Sequence, residues 1–126
     1  MRAVDTNVLV RLITRDDEDQ YLEAKEFVQA GAWVSHVVLV ETTWVLMSAY
    51  ELRPDQIATA LEMLLNHEQI HIQDPDVVSA ALEQYTAKPK LGFSDCMVLE
   101  IARKAGHLPL GTFDRRLSRL DGGLKL

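Results

Sequence analysis

Ala3-Val4-Asp5-Thr6-Asn7 opens the chain with a short apolar run that stops at a carboxylate and two small polar residues. An amphipathic segment, Val8 to Ile13, follows at once. The junction reads as a strand passing directly into a helix, with Asp5 at the carboxyl end of the strand. In open α/β sheets that edge is where ligands and reacting groups gather. The question for each later acid is whether it converges on Asp5.

A chain of 126 residues suits one domain spanning 1–126, with a real core and little room for a second. With 48% apolar and 25% charged residues, it has the balance of an ordinary soluble globular protein. The net charge of −6 argues against holding nucleic acid through overall positive charge. It leaves room for a nucleic-acid enzyme, because bound cations mediate contact with phosphates. Charges interrupt the apolar runs before the roughly 18–20 residues that a membrane span requires. No secretion-type leader opens the sequence, and Cys96 is the only cysteine, so no internal disulfide forms. The expected setting is reducing and cytoplasmic.

Short strands alternate with longer helices. Asp16-Asp17-Glu18-Asp19 leads into a helix carrying Tyr21, Leu22, Ala24, Phe27 and Val28, its acids suited to the first turn. Gly31 ends it, and Ala32-Trp33-Val34 is a strand. Ser35 caps a helix from His36 to about Tyr50, and Pro54 opens another through Leu65. Ile70-His71-Ile72 is a strand, and Asp74 or Asp76 caps a helix from about Val77 to Tyr85. Thr86 to Phe93 is a loop, followed by a helix from Asp95 to Lys104 that Gly106 closes. Leu108 to Thr112 is a strand with an irregular, proline-bearing start. Asp114 begins a brief helical turn, and Leu124-Lys125-Leu126 forms a last strand. This alternation predicts an α/β fold with a short, mainly parallel central sheet and helices on both faces.

Four acids stand apart from the solvated faces: Asp5, Glu41, Asp95 and Asp114. Asp5 and Asp114 lie between a strand and a helix, where aspartate is a favoured N-cap, and Asp95 sits where a carboxylate favours the helix dipole. Glu41 lies beyond the first turn of its helix. Steps of three and four from it reach Val37, Val38, Trp44, Val45 and Ser48, which predicts a glutamate in an inward apolar stripe. A buried carboxylate requires a partner, a proton or a metal; the structural alternative is a salt bridge. Asp95 shares its face with Val98, Leu99 and Ala102. Like charges meeting at one sheet edge repel unless a cation neutralises them. An all-oxygen donor set without a His/Cys group suits Mg²⁺ or Mn²⁺, and such a cluster suits phosphoryl chemistry.

At these residues the sequence resembles the PIN-domain ribonucleases and, within them, the VapC-type toxins of toxin–antitoxin pairs. The resemblance spans essentially the whole chain. It rests on Val4-Asp5-Thr6-Asn7, on Glu41 inside a helix, on Gly92-Phe93-Ser94-Asp95-Cys96 and on Thr112-Phe113-Asp114 in that order. It implies a three-layer α/β/α fold and Mg²⁺- or Mn²⁺-dependent endonucleolytic cleavage of RNA, with metal-bound water as the attacking group. A small cognate antitoxin as inhibitor and homodimerisation are implied as well. Carried over, Asp5, Glu41, Asp95 and Asp114 are the catalytic, metal-binding acids, and Thr6, Asn7, Ser94 and Thr112 support them. Cys96 stands where many relatives have a small residue such as alanine.

The four histidines, His36, His67, His71 and His107, lack metal-ligand spacing and read as surface or loop residues. Cys96 has no histidine base near it in sequence and reads as packing. Trp33, Trp44, Tyr21 and Phe27 read as core or dimer interface. Lys88 and Lys90 precede Asp95, while Arg115, Arg116 and Arg119 follow Asp114, so the first four are candidates for RNA phosphate contact. Two other readings compete. An aspartate-based phosphatase would want a second acid two residues after Asp5, where Asn7 stands. A catalytically inactive PIN-like binding module would have no need to keep all four acids.

Overall fold

The computed structural model describes residues 1–126, and its backbone falls into two compact units, Met1–Pro75 and Asp76–Leu126. The first contains β1 (Arg2–Ala3), α1 (Thr6–Thr14), α2 (Glu18–Val28), β2 (Ala32–Val34), α3 (His36–Ser48), α4 (Pro54–Leu65) and β3 (Ile70–Ile72). Its three strands form one parallel sheet in the order β1-β2-β3, with Ala32 paired to both Arg2 and Ile70. Burial alternates along β2 and β3 so that Ala32, Val34, Ile70 and Ile72 face the core while Trp33 and His71 face out. Leu9, Val10, Leu39, Leu46, Ile57 and Leu61 complete this core.

The second unit contains α6 (Phe93–Ala105), β4 (Leu110–Thr112), α7 (Arg115–Ser118), β5 (Gly123–Lys125) and nearly all of α5 (Pro75–Ala87). β4 and β5 pair in parallel as a separate two-stranded sheet, so the expected single sheet is divided between the units. Val78, Ala81, Cys96, Met97 and Leu99 are fully enclosed, and Tyr85 meets Phe93 edge-on with ring centroids 5.9 Å apart. Gly123 allows β5 to approach α7: a Cβ there would lie 2.6 Å from the Leu117 carbonyl oxygen.

Several boundaries differ from expectation. α3 ends at Ser48 rather than Tyr50. α5 begins at Pro75 and runs past Tyr85 to Ala87, shortening the loop before α6. α6 begins at Phe93, two residues early, because Gly92 at φ +56 turns the chain into the helix and leaves Asp95 inside the first turn. No helix is long and apolar enough to cross a membrane.

Candidate active site

Asp5 lies two residues beyond β1 and is the N-cap of α1; its Oδ1 accepts the Val8 N–H at 3.3 Å. That bond occupies one carboxylate oxygen and leaves the other free. Thr6 is buried in the first helical turn, while Asn7 is exposed. The Val4 N–H donates to the Trp33 carbonyl at 3.1 Å, which carries the sheet bonding up to the residue before Asp5. The carboxylate is therefore fixed from both sides, by a sheet behind it and a helix ahead.

α3 is set by Ser35, whose Oγ accepts the Val38 N–H at 3.2 Å as the sequence predicted. Glu41, however, does not turn inward: it is exposed, and so are Val37 and Trp44 on the same stripe, at 75% and 62%. The core face carries Leu39, Thr42, Thr43 and Leu46 instead. Apolar residues lie all round this helix, so periodicity could not tell its inner side from its outer one. An exposed Glu41 needs no buried partner.

In the second unit Asp95 is half-buried on α6, and Asp114 is the exposed N-cap of α7. The Asp114 carboxylate accepts the Leu117 N–H at 2.9 Å, while its own N–H donates to Thr112 Oγ1 at 3.0 Å. Thr112 thus supports Asp114 as expected; Ser94 is exposed beside Asp95. Burial, and then the negative charge of Asp114, push the Asp95 carboxyl above the usual carboxylate range. A divalent cation would relieve the charge that opposes ionisation of Asp95. A half-buried carboxylate within electrostatic reach of a second one suits an oxygen-liganded Mg²⁺ or Mn²⁺. No three His, Cys, Asp or Glu side chains are gathered closely enough to hold an ion among themselves. The structure brings Asp95 and Asp114 of the second unit within electrostatic reach; Asp5 and Glu41 are exposed carboxylates of the first unit.

The buried carboxylate of the chain is Glu100, 6% exposed, which the sequence reading passed over. It accepts from Gln84 Nε2 at 2.7 Å and from Arg103 Nε at 3.1 Å. Arg103 also donates to the Asp121 carbonyl, tying α6 to the turn before β5. The i,i+3 spacing of Glu100 and Arg103 was a visible signal for this pair. Cys96 is fully buried, and burial, then the charges of Asp95 and Glu100, push its thiol up to about 11; it is packing, as expected.

The histidines are structural or exposed: His36 Nε2 lies 2.7 Å from the Gln73 carbonyl, and His67 Nδ1 accepts the Gln69 N–H. Neither tryptophan belongs to the core, Trp33 and Trp44 both being exposed; Tyr21 and Phe27 are half-buried. Of the candidate RNA-contact residues, Lys88, Lys90 and Arg116 line a common cavity with Arg119, and Arg115 lies outside that lining.

Each unit carries an acid at a strand-to-helix junction, Asp5 in the first and Asp114 in the second, the edge at which α/β folds place their sites. The sequence matches the PIN domain over residues 2–123, and the chain belongs to that family, with its three-layer α/β/α fold class. PIN domains are typically metal-dependent nucleases acting on nucleic acids. No curated protein and no solved structure shows a significant match to the chain.

Proposed function

We propose that this chain is a single-domain, Mg²⁺-dependent endoribonuclease, with Mn²⁺ as an alternative ion, and the toxin of a toxin–antitoxin pair. The observation that supports it most is the half-buried Asp95 carboxylate, whose pKa is raised by burial and then by the charge of Asp114, in a chain of the PIN family. Asp5, Glu41, Asp95 and Asp114 are the acids we assign to the ion. An ion bound there would supply an activated water and stabilise the charge of an in-line displacement at phosphorus. Asp5 contributes the oxygen not used in capping α1, and Thr112 steadies the backbone that presents Asp114. Ser94, Thr6 and Asn7 support the neighbouring carboxylates. Cleavage leaves 5′-phosphate and 3′-hydroxyl ends. The exposed Trp44 and Met47 on α3 support homodimerisation, and the lone, buried cysteine suits a reducing cytoplasm. A small protein antitoxin restrains the activity.

Purified chain freed of partner is incubated with structured and unstructured RNA, with Mn²⁺ or with chelator, beside Asp5→Asn and Glu41→Gln. Metal-dependent cleavage lost in both variants is the expected result. Cleavage that survives in chelator, or in both variants, overturns the assignment. Stabilisation by Mn²⁺ without cleavage of any RNA marks a binding module instead.

A further inference from the structure

The first unit holds a cavity of about 330 Å³, within the size range of small-ligand sites. Asp5 follows the carboxyl end of β1, whereas Gln69 and Ile70 at the cavity stand at the start of β3, and the strands run parallel. The cavity therefore lies at the edge of the sheet opposite Asp5. Helical spacing builds its walls. Tyr21, Lys25 and Val28 recur at steps of four and three along α2. Ala60, Met63, Leu64 and His67 do the same along α4 and the turn beyond it. Leu12, Ile13 and Arg15, at the end of α1, supply the third side.

Depth sorts this lining by chemistry. Val28, Ala60, Leu64 and Ile70 are at most 5% exposed and form the interior, while Arg15, Lys25 and His67 are exposed and form the rim. No carboxylate lines the cavity. The two acids next to Arg15 in sequence serve other partners: Asp16 accepts from Arg11, Thr14 and Tyr50, and Asp17 caps α2 through the Gln20 N–H. The Arg15 guanidinium lies 4.5 Å from the Tyr21 ring centroid, a stacking that leaves its in-plane N–H donors for another acceptor. His67 Nδ1 accepts the Gln69 N–H, which leaves the other ring nitrogen as the donor. The rim thus offers positive charge and donors, and the interior offers hydrocarbon. A bare ion leaves the interior unfilled and a neutral hydrocarbon leaves the rim unused; an anionic amphiphile uses both. Among the apolar lining residues only Tyr21 carries a ring, and Arg15 already covers one of its faces. Aliphatic walls with the flexible, exposed Met63 at the rim suit an alkyl chain. A volume of about 330 Å³ takes roughly eleven heavy atoms at ~30 Å³ apiece, which is one chain and not two.

We propose that this cavity binds a free single-chain carboxylate of about eight to ten carbons. The head sits at Arg15 and Lys25, and the chain runs between α2 and α4 onto Leu64 and Ile70. The site is separate from the acids assigned to the ion and does not depend on the ribonuclease reading. Because α1 begins at Asp5 and ends at the cavity, an occupant braces the helix that Asp5 caps.

The test is isothermal titration calorimetry of the full chain with octanoate, in chelator and without RNA, beside 1-octanol and octylammonium. One site with a dissociation constant on the order of 0.1–1 mM is expected for octanoate, with 1-octanol about tenfold weaker and octylammonium silent. Arg15→Gln/Lys25→Gln should lose about tenfold for octanoate and leave 1-octanol unchanged. Ala60→Leu fills the interior and should lose both. Melting temperatures verify folding, and Met63→Glu, which sets a carboxylate on the exposed rim, should abolish octanoate binding if Ala60→Leu does not fold. No saturable octanoate binding overturns the proposal, as does equal affinity for octanoate and 1-octanol, or affinity unchanged across the variants. Binding of an acidic Leu/Glu helical peptide but not of octanoate, lost in Met63→Glu, overturns it in favour of a protein segment.

Discussion

Asp5 does two jobs that a pair of substitutions separates. Its Oδ1 caps α1 through the Val8 N–H at 3.3 Å, longer than the 2.9 Å of the corresponding Asp114 cap on Leu117. A long cap bond belongs to the lower half of the usual range, so Asp5→Ala should cost about 0.5–1 kcal/mol in the metal-free protein. For a chain of this size that is a fall in melting temperature of roughly 2–5 °C. Asp5→Asn keeps a side-chain oxygen at the same position, and asparagine caps about as well as aspartate, so it should stay within a few tenths of a kcal/mol. Metal binding separates the pair differently, because both substitutions remove the charge. Mn²⁺ at about 100 times its dissociation constant stabilises the parent by about 2.7 kcal/mol and should stabilise neither variant. Differential scanning fluorimetry in chelator and then in a Mn²⁺ series measures both effects on the same samples. Asp5→Asn keeping the full metal gain would remove Asp5 from the ligand set. Asp5→Ala melting with the parent in chelator would show that the cap contributes nothing.

Three further outcomes are expected. Asp95→Asn should stabilise the metal-free protein at neutral pH. The folded state raises the Asp95 pKa, so ionisation costs stability as pH rises through the carboxylate range, and the amide removes that cost. The gain, under about 1 kcal/mol for a half-exposed group, should vanish below about pH 4, and a gain that persists there refutes the electrostatic cause. Arg103→Met leaves Glu100 buried with only Gln84 and should cost about 2–4 kcal/mol in urea unfolding, whereas pairing it with Glu100→Met should restore much of the loss. Gly123→Ala places a methyl 2.6 Å from the Leu117 oxygen, so β5 must shift; thermal unfolding should drop by about 1–3 kcal/mol, and an unchanged melting point would contradict the close approach.

Local chemistry decided which elements were readable in the sequence. Ala32–Val34, Pro54–Leu65 and Ile70–Ile72 carry their own punctuation in Gly31, Pro54 and alternating burial, and they form as read. Gly106 closes α6 in the left-handed conformation expected of it. The start of α6 was misplaced because Ser94-Asp95 resembles a cap, while Gly92 supplies the turn and Phe93 is anchored on Tyr85. Asp5 and Asp114 were identified as caps from their position alone, and both are. Glu41 was assigned the wrong face because α3 is apolar on every side, and only its tertiary neighbours choose which side is enclosed. Glu100 escaped notice because Gln84, which completes its hydrogen bonding, lies on another helix. The basic cavity was half visible: Lys88, Lys90, Arg116 and Arg119 flank the acids in sequence, but that they line one cavity is set by packing.

The enclosed Cys96 gives this protein a gauge of its own motion. With no accessible surface and a thiol pushed up to about 11, the residue gives a thiol reagent nothing to attack at neutral pH while α6 is seated. Labelling therefore proceeds only when the second unit opens around it, and its rate counts those openings. Because Cys96 directly follows Asp95, an ion gripping that carboxylate should slow the count without any change to the probe. The chain can thus report, through one native sulfur and no engineered dye, whether its acidic edge is held or free.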